Sequence, residues 1–178
     1  MTARDKSIVL IGFMGAGKSS VGRCLARLTG LPRFDTDEMI ANDFGLPVAQ
    51  IFTKHGEEAF RDAETNMLRR LRQESDSITV TGGGVVLRPE NIDLLRKLGF
   101  VVHLEAAEET LFRRLMRRPT RPLIQTANPR ATVKKLLKER APLYRAAADM
   151  ALLTSNLGQQ EVAKAILRKM EVLRSESK

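Results

Sequence analysis

Residues Gly12-Phe13-Met14-Gly15-Ala16-Gly17-Lys18-Ser19 fill the pattern G-x-x-x-x-G-K-[ST] at every fixed position. Ser7-Ile8-Val9-Leu10-Ile11 precede it, an apolar β-branched run that reads as a buried strand. Val21, Leu25 and Leu28 follow at helical spacing, predicting a helix from Lys18 to Thr29 that Gly30 and Pro32 end. Strand, glycine loop and helix in that order form a phosphate-binding loop. Glycines let the backbone turn its N–H groups onto a triphosphate, at the positive end of a helix. Lys18 then reaches the β- and γ-phosphates, and the Ser19 hydroxyl is a ligand for Mg²⁺.

Apolar strand-like and amphipathic helix-like segments alternate over the remaining chain, which predicts a parallel sheet with helices on both faces. Phe34 leads into Asp35-Thr36-Asp37, where a short strand gives way to a helix. The carboxyl ends of strands are where such sheets bind ligands, yet Asp and Thr are also ordinary helix caps. Short helices are expected around Gly45-Leu46-Pro47. A long one follows from Gly56, with Ala59, Phe60, Ala63, Met67, Leu68 and Leu71 on its apolar face. Arg61 and Glu64 lie three apart on it and are able to pair, although a solvated charge is the plainer reading of Arg61. His55 reads as a surface turn residue. Ser77–Thr81 is a β-branched strand, and Gly82-Gly83-Gly84 after it gives a backbone that a ligand can approach closely. Val85–Leu87 continue, and a helix runs from Pro89 to near Gly99. Further on are a strand at 100–104, helices at 107–116 and 134–148 with Pro142 as a break or second start, a strand at 150–153, and a helix from Gln160 to about Arg174. That last helix turns Val162, Ile166, Met170 and Val172 or Leu173 inward, and a fraying tail follows.

The formal charge of +9 favours anionic partners. Between Ala107 and Arg145 the chain holds basic residues at 113, 114, 117, 118, 121, 130, 134, 135, 138, 140 and 145 against Glu108, Glu109 and Glu139. The two prolines of Arg117-Arg118-Pro119-Thr120-Arg121-Pro122-Leu123 exclude regular helix. A proline-bounded loop carrying an arginine suits a lid over a phosphoryl group. Seven Phe, one Tyr and no Trp predict an aliphatic core and few stacking platforms for single-stranded nucleic acid. The single cysteine, Cys24, excludes an intramolecular disulfide, fits a reducing compartment, and reads as a buried thiol. No apolar run reaches the roughly 20 residues of a membrane span, and the start lacks the apolar stretch of a signal peptide.

Taken together, the chain resembles the shikimate kinases. The likeness is collinear over nearly its whole length: residues 12–19, Asp-Thr-Asp at 35–37, Phe60-Arg61 with Glu64, Gly-Gly-Gly at 82–84, Arg121-Pro122-Leu123, and Glu139-Arg140-Ala141-Pro142-Leu143-Tyr144. The resemblance implies a P-loop three-layer α/β/α sandwich of the nucleoside-monophosphate-kinase type, with a five-stranded parallel sheet. It implies one domain over 1–178, with a core of 1–34, 65–111 and 129–178, a substrate-binding segment 35–64 and a lid 112–128. The activity implied is phosphorylation of the 3-hydroxyl of shikimate by ATP with Mg²⁺, in aromatic amino acid biosynthesis, by a cytoplasmic monomer that binds neither nucleic acid nor membrane.

Residue roles follow from the same resemblance. Asp37, Lys18 and Arg121 are catalytic, with Asp37 as the base and Arg121 on the lid. Gly15, Ala16, Gly17, Lys18, Ser19, Ser20, Arg114 and Arg121 bind ATP, and Arg114 lies against adenine. Ser19 and Asp35 serve the metal, Asp35 through water. Asp37, Phe52, Phe60, Arg61, Glu64, Gly82, Gly83 and Arg140 bind shikimate, with Arg61 and Arg140 on its carboxylate. Two departures stand out: Val80 occupies a position usually held by Ser or Ala, and Ser155-Asn156-Leu157 lacks a basic residue that some members place by adenine. Two alternatives stay open at this point. One is another small-molecule P-loop kinase, of the gluconate or nucleotide type. The other is a P-loop protein that uses its charge on nucleic acid.

Overall fold

A computed structural model of the chain describes residues 6–74, 76–117 and 126–176. The apolar run before the glycine loop forms β1 (Ile8–Ile11), buried at all four positions, as a strand covered on both faces must be. It lies in the middle of a parallel sheet with β2 (Arg33–Asp35), β3 (Ile78–Val80), β4 (Phe100–Glu105) and β5 (Met150–Leu153), in the order β2-β3-β1-β4-β5. The register is what builds a site. Leu10 is level with Val80, and Val80 with Asp35. The segments leaving β1, β2 and β3 therefore emerge side by side at one edge of the sheet, the ligand-binding edge of such folds.

The helices are α1 (Lys18–Thr29), α2 (Thr36–Phe44), α3 (Val48–Leu71), α4 (Pro89–Leu98), α5 (Glu108–Met116), α6 (Pro129–Ala147) and α7 (Gln159–Glu176). α1 packs on β1, β2 and β3 and against α7, whereas α4 and α6 pack on β4 with α3 against α4. Gly22 brings α1 close to the sheet: a Cβ there would stand 2.6 Å from Val80 Cγ2. The methyls of Val80 thus fill space that the missing side chain of Gly22 leaves. The core is aliphatic as expected, and Cys24 is buried in it. Among the described residues no helix is long and apolar enough to cross a membrane.

Several boundaries differ from the sequence reading. α6 starts at Pro129 instead of Lys134, because Asn128 caps it by accepting from the Ala131 N–H at 3.1 Å and Pro129 takes the first helical position. Pro142 neither breaks nor restarts that helix; buried Val133, Arg140, Tyr144 and Ala147 anchor both halves, and packing overrides the missing N–H. Within α3, Gly56 adopts φ 84°, ψ 169°, where the helix kinks; this left-handed φ suits glycine. Leu28 is 51% exposed. A 12-residue helix is about 18 Å long, and three- and four-residue strands about 10–14 Å, so the last turn of α1 overruns its cover. Val172 is exposed as well, and Val162, Ala163, Ile166 and Met170 form the buried face of α7. Ser175 and Glu176 are within that helix, which runs to Glu176.

Candidate active site

The glycine loop meets its backbone demands as the motif requires. Gly12, Gly15 and Gly17 take φ of 139°, 83° and 101°, and a Cβ on Gly12 would lie 2.5 Å from the Leu104 carbonyl oxygen. Gly17 caps α1 and its carbonyl accepts from the Ser20 and Val21 N–H groups, and the start of the helix, Lys18 to Val21, lines the cleft. Lys18 Nζ donates to the carbonyls of Gly12 at 2.6 Å and Phe13 at 3.1 Å. A cleft of about 450 Å³ opens over the loop, and Ser19, Asp35, Asp37, Gly83 and Arg114 are among the residues that line it. Arg114 Nη1 donates to the Gly15 carbonyl at 3.1 Å, and Ser20 Oγ accepts from Arg23.

At the end of β2, Asp35 Oδ2 accepts from Ser19 Oγ at 3.3 Å and from Arg33 Nη1 at 3.1 Å. Arg33 also pairs with Glu38 at 2.8 Å. Ser19 and Asp35 thus set two hard oxygen donors side by side in the cleft, the kind Mg²⁺ prefers. Among the described residues no three His, Cys, Asp or Glu side chains cluster as a metal cage.

Each of the three glycines after β3 has its own reason to lack a side chain. A Cβ on Gly82 would meet Asp37 Oδ1 at 2.6 Å and Glu64 Oε1 at 2.7 Å. One on Gly83 would meet the Met14 backbone nitrogen at 3.3 Å, and one on Gly84 would enter the Arg61 guanidinium, 2.5 Å from Nη2. Two carboxylates, the glycine loop and an arginine therefore close on three residues of bare backbone. The run is also tied to its neighbours. Thr81 Oγ1 donates to the Leu10 carbonyl, and the Gly82 N–H donates to Thr36 Oγ1.

Arg61 is buried, pairs with Glu64 and with Glu57 at 3.0 Å, and lies 5.8 and 5.4 Å from the ring centroids of Phe52 and Phe60. Those two rings pack together, 4.6 Å apart. Arg140 comes from α6 to the other side of the glycine run, where Nη1 donates to the Gly83 carbonyl at 3.2 Å. Burial pushes the Glu64 carboxyl up, against the pull of the Arg61 charge. Burial also acts on the Arg61 guanidinium, but its contacts with Glu64 and Glu57 outweigh that and hold it firmly charged.

The structure brings together Lys18, Ser19, Asp35, Asp37, Arg61, Glu64, Gly82, Gly83, Arg114 and Arg140 around one cleft and its floor. The plainer reading of Arg61 as a solvated charge is overturned by its burial. Arg121, and the lid segment at 118–125, lie outside the described residues. Sequence reasoning missed four contributors. Arg33 grips Asp35; its alternation with Asp35 along one strand was the available signal. Tyr144 donates its hydroxyl to the Gly83 carbonyl and stacks on His103 at 4.8 Å. His103 is buried beside the loop; burial lowers it to about 4, opposed by Glu105 and aided by Arg145 and Lys18. Buried Asn91 accepts from Thr65 Oγ1 at 2.8 Å and donates to the Val85 carbonyl at 2.9 Å, joining α3 to the segment after the glycines.

The family profile described as shikimate kinase matches residues 14–171. The chain is 44% identical over 168 residues to the shikimate kinase of Thermodesulfovibrio yellowstonii, covering 94% of this chain and 96% of that protein. It is 43% identical to the shikimate kinase of Thioalkalivibrio sulfidiphilus, over 93% of this chain and 87% of the other. Among solved structures, it is similar to Acinetobacter baumannii shikimate kinase in complex with shikimate. That match has a TM-score of 0.90 at 37% identity and covers 97% and 96% of the two chains.

Proposed function

The chain belongs to the shikimate kinase family, and on that premise we propose that it transfers the γ-phosphoryl group of ATP to the 3-hydroxyl of shikimate. The observation that carries the reading is the convergence of Asp37, Arg61 and Arg140 on one glycine run, beside the cleft that Lys18, Asp37 and Gly83 line. A small acid with a ring of hydroxyls needs that set. Two guanidinium groups give a carboxylate charge-assisted, often bidentate hydrogen bonds. Phe52 and Phe60 wall the ring, Glu64 fixes the Arg61 head, and the Gly82–Gly83 backbone lets the acceptor come close.

Asp37 accepts a hydrogen bond from the acceptor hydroxyl and takes its proton as the new O–P bond forms. The bond to the β-phosphate oxygen breaks, and ADP leaves with its electron pair. Little covalent chemistry falls to the protein; catalysis is positioning and neutralisation of spreading charge. Lys18 and the positive N-terminal end of α1 supply that neutralisation at the phosphates, with Gly15, Ala16, Gly17, Ser19 and Ser20 wrapping them and Arg114 at the adenine side. Ser19 and Asp35 would hold Mg²⁺, which would supply positive charge against the charge that develops on the phosphates. The resemblance gives Arg121, which lies outside the described residues, the role of neutralising charge on the transferring group.

An assay of ADP release with shikimate, quinate, gluconate and AMP tests the substrate. Shikimate should stimulate release far above the other three, and no response to it refutes the assignment. Size-exclusion chromatography with light scattering should report a monomer.

A further inference from the structure

Tyr144 is the single tyrosine of the chain and is 1% exposed. It lies on α6 one turn beyond Arg140. Its hydroxyl and Arg140 Nη1 donate to the same oxygen, the Gly83 carbonyl. A carbonyl has two lone pairs, so both donors fit. The two donors are not equal, however. Under the reading above, on which this inference rests, Arg140 has a second acceptor to serve in the substrate carboxylate. Its buried Nε has no hydrogen-bond partner among the described residues, so the guanidinium is not fully engaged where it lies. An arginine that leaves Gly83 for a carboxylate removes one of two donors from a carbonyl packed among buried side chains. A polar group stripped of all its partners there resists the exchange.

We propose that Tyr144 is a positioning residue of the substrate site, whose hydroxyl keeps the Gly83 carbonyl satisfied so that Arg140 is released to bind the substrate carboxylate. The phenol is well fitted to that task. Burial pushes it up to about 12, against the nearby Arg140 charge, so it keeps its proton to donate. Its ring is fixed by the stack on His103, with planes 25° apart, and His103 stays neutral near pH 7. His103 in turn lies against Gly12, so the strut runs from the base of the phosphate loop to the glycine run.

Tyr144→Phe keeps the ring and the stack and deletes one hydroxyl. Calorimetric titration should show the shikimate Kd rising about fivefold, the change one lost hydrogen bond carries. The shikimate KM should rise with it, while kcat and the ATP KM move less. In an Arg140→Gln background the same change should leave the shikimate Kd where it was, because no arginine then has to be released. A hydroxyl that serves only the fold would weaken shikimate equally in both backgrounds, and that result overturns the proposal. Unchanged affinity in Tyr144→Phe, with Arg140→Gln itself weakened, overturns the role of Tyr144 and leaves the clamp standing. Wild-type affinity in Arg140→Gln removes the clamp and this inference with it. A second measurement does not depend on how Tyr144→Phe folds. Biosynthetic 3-fluorotyrosine labels this site alone, and its ¹⁹F resonance should move when shikimate is added to the otherwise wild-type enzyme. A resonance that stays in place with shikimate bound overturns the proposal.

Discussion

Substituting Gly84 by alanine tests whether the glycine run exists to admit Arg61. The new Cβ would stand 2.5 Å from Arg61 Nη2 and 2.6 Å from Cζ, against an ordinary contact of 3.4 Å or more. The backbone of Gly84 is not in the left-handed region, so the methyl itself adds no conformational strain, and the guanidinium has to retreat by roughly an ångström. It has little room to do so, since Glu64 and Glu57 bond it and the Phe52 and Phe60 rings flank it. Severing a buried ion pair outright costs about 3–5 kcal/mol. Dragging it off its geometry costs about as much as a charge-assisted hydrogen bond, ~1.5–3 kcal/mol. Steady-state kinetics should therefore show the shikimate KM raised about ten- to a hundredfold, with the ATP KM little changed. Gly83→Ala is the internal control: its Cβ meets one atom at 3.3 Å and the next at 3.7 Å, so its effect should be several times smaller. A Gly84→Ala enzyme with a shikimate KM within twofold of wild type, or one milder than Gly83→Ala, refutes the packing argument.

Asp37→Asn should abolish turnover while nucleotide affinity, read by titration with a fluorescent ADP analogue, stays close to wild type; retained turnover would reject the base. Arg33→Gln should lower the Mg²⁺ concentration that half-saturates metal-dependent ADP binding, by about threefold, because a cation that shares Asp35 Oδ2 is gone; a higher Mg²⁺ requirement would mean that Arg33 orients Asp35 instead of competing at it. His103 titrates near 6.5 unfolded and about 4 folded, so its contribution is complete above pH 6.5 and is lost as pH falls through 6.5 to 4, about 3 kcal/mol in all. His103→Gln should accordingly lose less stability than wild type across that window in chemical denaturation; parallel pH curves for the two proteins would contradict the assignment.

Much of this architecture was legible because its signals are local. The motif at 12–19 fixes a strand, a loop and a helix at once, and the alternation of the remaining segments fixes a parallel sheet. Asp35 and Asp37 were legible as candidates because strand ends are where such sheets bind ligands, and the register sets Asp35 level with Val80 and Leu10. The site's second half was not legible from periodicity. Nothing in the spacing of α3 tells that Arg61 is buried; that depends on a bare backbone at Gly84, arriving from another element. Tyr144 and Asn91 are alike in this, since each acts on a carbonyl distant in sequence. Pro142 misled for the opposite reason: a strong local signal gave way to the burial of the residues around it. The start of α6 was readable, as Asn128-Pro129 is a cap followed by a favoured first residue.

The two sides of the cleft hang from strands of unequal security. Lys18 follows β1, which is laced to a neighbour along both edges, whereas Asp35 ends β2 and Asp37 comes just after it, and β2 is three residues long and, among the described residues, paired on one edge only. Outer strands open before inner ones, so amide exchange should be quicker at 33–35 than at 8–11. Random changes far from the cleft, on β2 or α2, should then disturb the handling of the acceptor alcohol sooner than that of the nucleotide. The phosphate grip is set in the frame of the molecule, and the acceptor side is where drift in sequence can most readily retune it.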